Sequence, residues 1–223
     1  MSQTTSPRRA LPEDVDPSTR DRILEVALEA FSQLGFDGAS TRSIATRAGV
    51  NQGLIPYYFG TKEALWRESV DRAFGLLRAT MSKIAAYTGP LSGPERFAMM
   101  IRRYVRFVAS RPEFVRLMNE EGKRDGARAR WLTDRHVRPM FGVLASVLAE
   151  ARVMDGMPPG VGIHHVQYIF LGAVATIFHQ AHECRQLTGR DPGEPDSVRA
   201  HADALVHILL GDASLARDIE LPD

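Results

Sequence analysis

An all-α fold is predicted for this chain by three observations. Apolar residues recur at helical spacing in almost every stretch, no run alternates with the period of two that a half-buried strand requires, and clusters of Gly and Pro separate the periodic stretches. The same pattern divides the chain into an arm over Met1 to Pro17, a small three-helix domain over Ser18 to Leu65, and a larger helical domain over residues 91 to 223.

The arm, MSQTTSPRRALPEDVDP, mixes Pro, Ser, Thr and both charge signs without periodicity. It is expected to be mobile, with Arg8 and Arg9 as its basic pair. From Ser18 the spacing of Ile23, Ala27, Ala30, Phe31 and Leu34 predicts a helix to about Leu34, stopped by Gly35. The turn FDGAS leads to Thr41, expected as the N-cap of a second helix over Arg42 to Ala48, with Ile44, Ala45 and Ala48 inward and Gly49 ending it. Asn51 is expected to cap a third short helix. Lys62 opens a long one to about Ala86, closed by Tyr87-Thr88-Gly89-Pro90.

In the larger domain Phe97, Ile101, Tyr104, Val105 and Val108 make one stripe, with Arg102, Arg103 and Arg106 expected on the opposite face until Pro112 interrupts the run. Phe114, Leu117, Met118 and Glu121 share a face of the next segment. Val137, Met140, Phe141, Leu144, Leu148 and Ala151 form a third stripe, ended by the link MDGMPPGVG. His164 to Leu187 is apolar nearly all round at its centre, and Val198 to Leu210 follows the loop TGRDPGEPDS.

Composition narrows the function classes. The formal charge of +1 announces neither a nucleic acid nor a membrane surface, so any such partner must be read locally. The longest apolar run, Tyr168 to Phe178, is too short to span a bilayer, which excludes a membrane span and leads to the expectation of a cytoplasmic protein. One cysteine, Cys184, excludes an intrachain disulfide. His179 and His182, with Glu183 and Cys184, have helical spacing compatible with a metal but fix no fourth ligand, so no metal site is assigned. Gly160-x-Gly162 lacks a third glycine and a preceding strand. No nucleophile elbow, P-loop or paired-carboxylate motif occurs, and neither a cofactor nor an enzymatic activity is expected.

Chemistry concentrates in Thr41 to Leu65. Two short helices joined at Gly49-Val50, apolar inward and polar outward, meet the requirements of a helix-turn-helix whose second helix enters the major groove of double-stranded DNA. The residues Ile23-Leu24-x-x-Ala27, Phe31, Gly35, Thr41-Arg42-x-Ile44-Ala45-x-x-Ala48-Gly49-Val50 and Gly53-x-Ile55-x-Tyr57-Tyr58-Phe59-x-x-Lys62-Glu63-Ala64-Leu65 resemble the N-terminal domain of the TetR (tetracycline-repressor) family of transcriptional regulators. The resemblance implies phosphate and occasional base contacts at Thr41 and Arg42, a groove-facing side made of Gln52, Gly53, Leu54, Pro56 and Tyr57, and backbone contacts at Tyr58 and Lys62. The family usually carries a basic residue where Gln52 stands and a Tyr where Pro56 stands. Residues 1 to 70 hold eight Lys/Arg against nine Asp/Glu, a net of −1, so affinity for DNA must come from placement rather than bulk charge.

Pro56 is the anomaly of that helix. With Asn51 as cap it falls just past the unpaired first turn, and its missing N–H is expected to free the Gln52 carbonyl for water or a base amino group. Its ring offers an apolar face to a thymine methyl, although toleration on an exposed surface explains it equally.

For the larger domain the resemblance implies a small-molecule effector. Phe97, Tyr104, Phe114, Met118, Phe141 and Tyr168 suit an apolar cavity, with Glu121 or Asn119 as polar anchors, and a mostly apolar or aromatic compound is expected there. A homodimer is expected through Tyr168 to Phe178 and a second stripe of Val198, Ala202, Leu205, Val206 and Leu209, so that the operator is a near-palindrome. The reading is a ligand-responsive regulator, a repressor in sense; the rival is an all-helical ligand-binding protein or enzyme that uses the C-terminal cavity.

Overall fold

The computed structural model describes residues 17–85, 91–153, 155 and 157–211. Among these, every regular element is helical. The arm expected over residues 1–17 lies, but for Pro17, outside the described residues, as does the closure expected at 86–90. The chain divides into two compact units, Met1–Ser69 and Val70–Asp223.

The first unit contains α1 (Pro17–Gly38), α2 (Thr41–Arg47), α3 (Leu54–Phe59) and the opening turns of α4 (Lys62–Ala85), which continues through the division. Its core is built from Ile23, Leu24, Ala27, Leu28 and Phe31 of α1, Ile44 and Ala45 of α2, Ile55 and Phe59 of α3, and Leu65 and Trp66 of α4, all buried. Leu24 and Leu28 widen the expected stripe into the broad apolar face that a helix packed on several neighbours needs. Leu34, expected inside, is 55% exposed. Gly35 (φ 70, ψ 173) breaks the helical path, and Phe36 rather than Leu34 stacks on Phe31, with ring centroids 5.9 Å apart. Only glycine adopts that backbone conformation without strain.

The second unit comprises the rest of α4, α5 (Gly93–Ser110), α6 (Pro112–Gly122), α7 (Ala127–Leu132), a π-helical stretch Thr133–Val137, α8 (Arg138–Glu150), α9 (Ile163–His179), α10 (Ala181–Thr188) and α11 (Pro195–Leu210). Its centre is α5, which packs most extensively on α11 and also meets α6, α8 and α9. The helix starts with a capping box. The Ser92 hydroxyl and the Ser92 N–H both donate to Glu95 Oε2 at 2.7 Å, and these two bonds hold the Glu95 carboxyl below its ordinary range, while the Glu95 N–H donates to Ser92 Oγ at 3.4 Å. Phe97, Ile101, Val105 and Val108 are fully enclosed.

Because α11 covers a further side of α5, Arg102 is not outward as expected. It is 6% exposed, and its Nε and NH2 both donate to Asp203 Oδ1 at 3.1 Å. The same packing corrects the expected dimer stripe: Val198, Ala202, Leu205 and Val206 are buried within the protomer, where α11 meets α5. In α9 the i, i+4 series Val166, Phe170, Val174, Phe178 is buried, and Tyr168 and Ile169 are 67% and 63% exposed. The backbone at Gln180 (φ −101, ψ 33) ends α9, so His164 to Leu187 is two helices.

Candidate nucleic-acid interface

The helix-turn-helix is set by its caps. Ser40, not Thr41, is the N-cap of α2: its backbone is extended (φ −106, ψ 142), and its Oγ accepts the Ser43 N–H at 3.0 Å. Thr41 is therefore the first helical residue. At the far end Gly49 takes φ 65, and the Val50 N–H reaches back to the Ala45 carbonyl at 3.0 Å, which turns the chain toward α3.

α3 begins two residues later than its sequence suggests, which resolves the anomaly of Pro56. Asn51 Oδ1 accepts the Gly53 N–H at 2.8 Å, making a turn rather than a helix cap, and Gly53 stands at the N-cap position. Pro56 is then the third helical residue, inside the first turn, where a backbone N–H has no intrahelical partner in any case. The Gln52 carbonyl is not freed, contrary to expectation; it accepts the Ile55 N–H at 3.2 Å. Buried Ile55 and Phe59 fix the inner side of the helix.

Gln52, Gly53, Pro56 and Tyr57 are exposed, Leu54 and Tyr58 half-buried. Tyr57 and Tyr58 meet edge to face at 5.2 Å, so the ring presented to solvent is braced by its neighbour. Arg42 is exposed and Thr41 half-buried at the start of α2. The basic side chains differ in availability. Arg20 pairs with Glu68, Arg47 NH2 with Glu29 at 2.7 Å, and Arg67 NH2 with Glu63 at 2.6 Å. Arg22 Nε donates to the Ala48 carbonyl at 2.9 Å. Lys62 Nζ donates to the Asp37 carbonyl at 3.3 Å and lies 4.8 Å from the centre of the Phe36 ring. Among the described residues of this unit, Arg42 alone is a basic side chain without such an engagement.

The residues expected to line a cavity in the second unit fall into separate groups. Phe97 and Tyr104 gather on Phe170, at 5.7 and 5.9 Å, and burial pushes the Tyr104 hydroxyl up to about 12. Phe114 meets Phe74 and Phe107 edge to face at 5.1 and 5.4 Å. Phe141 meets Tyr168 at 5.4 Å, but Tyr168 is on the exposed side of α9 and lines no interior. Met118 is half-buried and Asn119 exposed. Glu121, at 3% exposed, is a buried carboxylate.

Sequence reasoning missed the polar groups around the π-helical stretch. His136, 2% exposed, stacks on Phe74 at 4.3 Å, with Asp71 Oδ1 2.9 Å from its Nε2 and Arg78 NH1 3.4 Å from its Nδ1. Burial lowers its pKa more than Asp71 raises it. No local spacing signals this group, because Asp71 and Arg78 sit on α4, far away in sequence. Between α9 and α10, Gly172, Thr176, Ile177, Cys184 and Leu187 border an open groove of about 480 Å³. No set of three or more His, Cys, Asp or Glu among the described residues is grouped for a metal, His179 and His182 included. No described helix is long and apolar enough to cross a membrane.

Two family profiles match the chain: that of bacterial regulatory proteins of the tetR family over residues 23–68, and that of the tetracyclin repressor-like C-terminal domain over residues 94–209. The HTH-type transcriptional repressor NicS of Pseudomonas putida is 31% identical over 134 residues, 58% of this chain and 59% of its own. The chain thus covers less than two thirds of the length of the curated relatives it matches. Among solved structures, AibR in complex with isovaleryl coenzyme A and operator DNA is 18% identical with a TM-score of 0.65, over 86% of this chain and 98% of that one. FadR of Bacillus subtilis, in complex with stearoyl-CoA, is 17% identical with a TM-score of 0.63, over 85% and 97%. At these identities the likeness is one of fold.

Proposed function

The chain belongs to the tetR family of bacterial regulatory proteins, and from that premise we propose that it is a transcriptional repressor, bound to a near-palindromic operator as a homodimer and released by a small, mostly apolar effector. The observation that carries this reading is the exposed side of the helix-turn-helix, where Gln52, Gly53, Pro56 and Tyr57 project beside Arg42 from helices pinned by buried Ile44, Ile55 and Phe59.

In this reading Arg42 and Lys62 neutralise phosphates, with Thr41 and Tyr58 on the backbone. The Gln52 amide reads a base edge, Gly53 lets the main chain approach, and Leu54, Pro56 and Tyr57 make apolar contacts with thymine methyls. Because most cations among the described residues of this unit are already engaged within the protein, these residues release few counterions. The affinity then depends on salt less steeply than in a DNA-binding domain rich in free lysines.

Two-fold pairing is supported by the side of α9 and α11 that the protomer leaves open. Tyr168, Ile169 and Ile208 are 67%, 63% and 73% exposed, with the small residues Gly172, Ala200 and Ala204 also exposed on the same two helices. An effector acts by binding one of two states better, those states differing in the separation of the paired recognition helices. The acyl parts of the stearoyl-CoA and isovaleryl coenzyme A in the FadR and AibR structures support an effector with an apolar portion for this chain. The protein works by binding rather than catalysis, in the cytoplasm.

The test is a gel shift with the DNA upstream of its own gene, run beside size-exclusion chromatography. The unaltered protein is expected to be a dimer at micromolar concentration and to retard that DNA. Ile208→Asp with Tyr168→Glu should give folded monomers that bind it poorly. A stable monomer before mutation contradicts the pairing, and failure to retard any DNA contradicts the repressor.

A further inference from the structure

None of the residues of α10 is buried, and all but Ala181 and Cys184 are exposed. A helix this short is marginal in water unless packing holds it. Leu187, at its outer end, is 79% exposed, more than any other large apolar side chain among the described residues. Beside it lies the groove of about 480 Å³ between α9 and α10, bordered by Ala173, Ile177 and Leu187 together with the polar Gln180, Glu183 and Thr188. That mixture of apolar and polar groups is what a protein interface carries. The groove is open along one side, whereas a pocket for a small molecule buries most of its ligand.

Two observations say what covers it. Gly172 and Thr176 are exposed on α9 at helical spacing from Tyr168 and Ile169, and the same two residues border the groove, so the groove continues the face read above as the pairing surface. That face is also too small without it. Seven residues of α9 and seven of α11 are exposed, not all on one side, and a stable interface of standard size takes about 20–30 residues from each partner. The exposed residues of α10 supply the missing surface.

We propose that a second copy of this chain covers α10 and the groove, so that the dimer interface runs unbroken from α11 across α9 to Leu187. The inference rests on the pairing reading above and extends it to α10. Closing the groove takes Ile177 and Leu187 out of water. It also encloses Cys184, which borders the groove, is half-buried in the protomer and is the one cysteine of the chain.

The experiment follows the reaction of the Cys184 thiol with N-ethylmaleimide in the full chain, beside sedimentation velocity. At micromolar concentration the thiol of the unaltered protein is expected to react about tenfold slower, or less, than in the folded Ile208→Asp, Tyr168→Glu monomer. If that variant fails to fold, dilution of the unaltered protein below its dimerisation midpoint supplies the comparison, and the rate should rise as the dimer dissociates. Leu187→Glu, at a position too exposed to threaten the fold, should weaken dimerisation by about tenfold and free the thiol. A dimer whose thiol reacts as fast as the monomer's, or a Leu187→Glu variant that dimerises as tightly as before, overturns the proposal. Either result gives the groove to another occupant and leaves the α9 and α11 pairing in place. An unaltered protein that stays monomeric overturns that pairing, and this proposal with it.

Discussion

Among the described residues of Met1–Ser69 the buried polar residues are two serines, Ser32 and Ser69, whose hydroxyls return to the Glu29 and Leu65 carbonyls of their own helices at 2.8 and 2.7 Å, whereas Val70–Asp223 buries Arg102, Glu121, His136 and Gln167. On the function proposed above, the difference follows the work asked of each unit. A DNA reader recognises with its outside, so its interior can be apolar and inert, and only the caps and the exposed face need particular chemistry. A unit that senses a small molecule recognises with its inside, and its interior must carry charge and hydrogen-bonding groups at a cost in stability.

The strongest way to break this contrast is to cut into the apolar core of the first unit. Phe31→Ala removes a ring that is 2% exposed and should cost about 3–5 kcal/mol in denaturant unfolding, with DNA binding lost as a result of unfolding. Exposed Arg42→Ala should cost less than about 0.5 kcal/mol and leave the fold intact. Equal losses in the two variants would mean that the outer face is structural.

Next in size is Arg102→Ala. It leaves Asp203 without its guanidinium, and because the Asp203 side chain is 36% exposed the loss should be about 2 kcal/mol rather than the larger value of a fully buried pair. Arg102→Met, which refills the apolar space beside α11, should recover at least half of it. If Met is no better than Ala, the arginine contributes charge and not packing.

A smaller effect separates the units by pH. All seven histidines of the chain lie after residue 70. Burial holds the His136 imidazole below its ordinary 6.5, so the unfolded chain takes up the proton more readily. Its contribution to stability is complete above pH 6.5 and is lost as pH falls through the lowered folded value. The melting temperature should fall between pH 7.5 and 5, and His136→Phe should flatten part of that fall, since Asp71 keeps Arg135 at 2.7 Å. An unchanged slope would remove His136 as a source.

The smallest effect is expected at Pro56. As the third residue of α3 it removes an N–H that has no helical partner, and Pro56→Ala should change stability by less than about 0.5 kcal/mol. A change in preference at one base pair of each half-site would give the ring a reading role.

Much of the fold was legible because helical periodicity and its stops are local properties. Ile44, Ala45 and Ala48 were found inward and Gly49 at the turn, where the helical spacing and its glycine stop put them. What failed was not local. Ser40 rather than Thr41 caps α2, because two adjacent hydroxyl residues are equivalent until the backbone of one is extended. Arg102 was read as outward because periodicity on α5 does not reveal that α11 covers a second side, and the α11 stripe was assigned to a dimer for the same reason. His136 depends on α4 residues 58 and more positions away. The exposed positions of the proposed nucleic-acid face were named through the family motif; the engagement of the neighbouring cations within the protein was not legible.

The most direct test of the account is selection of DNA by the purified protein from a random pool, followed by salt-dependent affinity measurements on the selected site. The account predicts a near-palindrome. Arg42→Ala should weaken all sequences alike and lower the slope of log affinity against log salt by about one phosphate per subunit, while Gln52→Ala should relax a single base pair in each half-site. Failure to enrich any sequence, or a double Arg42→Ala, Lys62→Ala variant that binds the selected site as tightly as before, would contradict it.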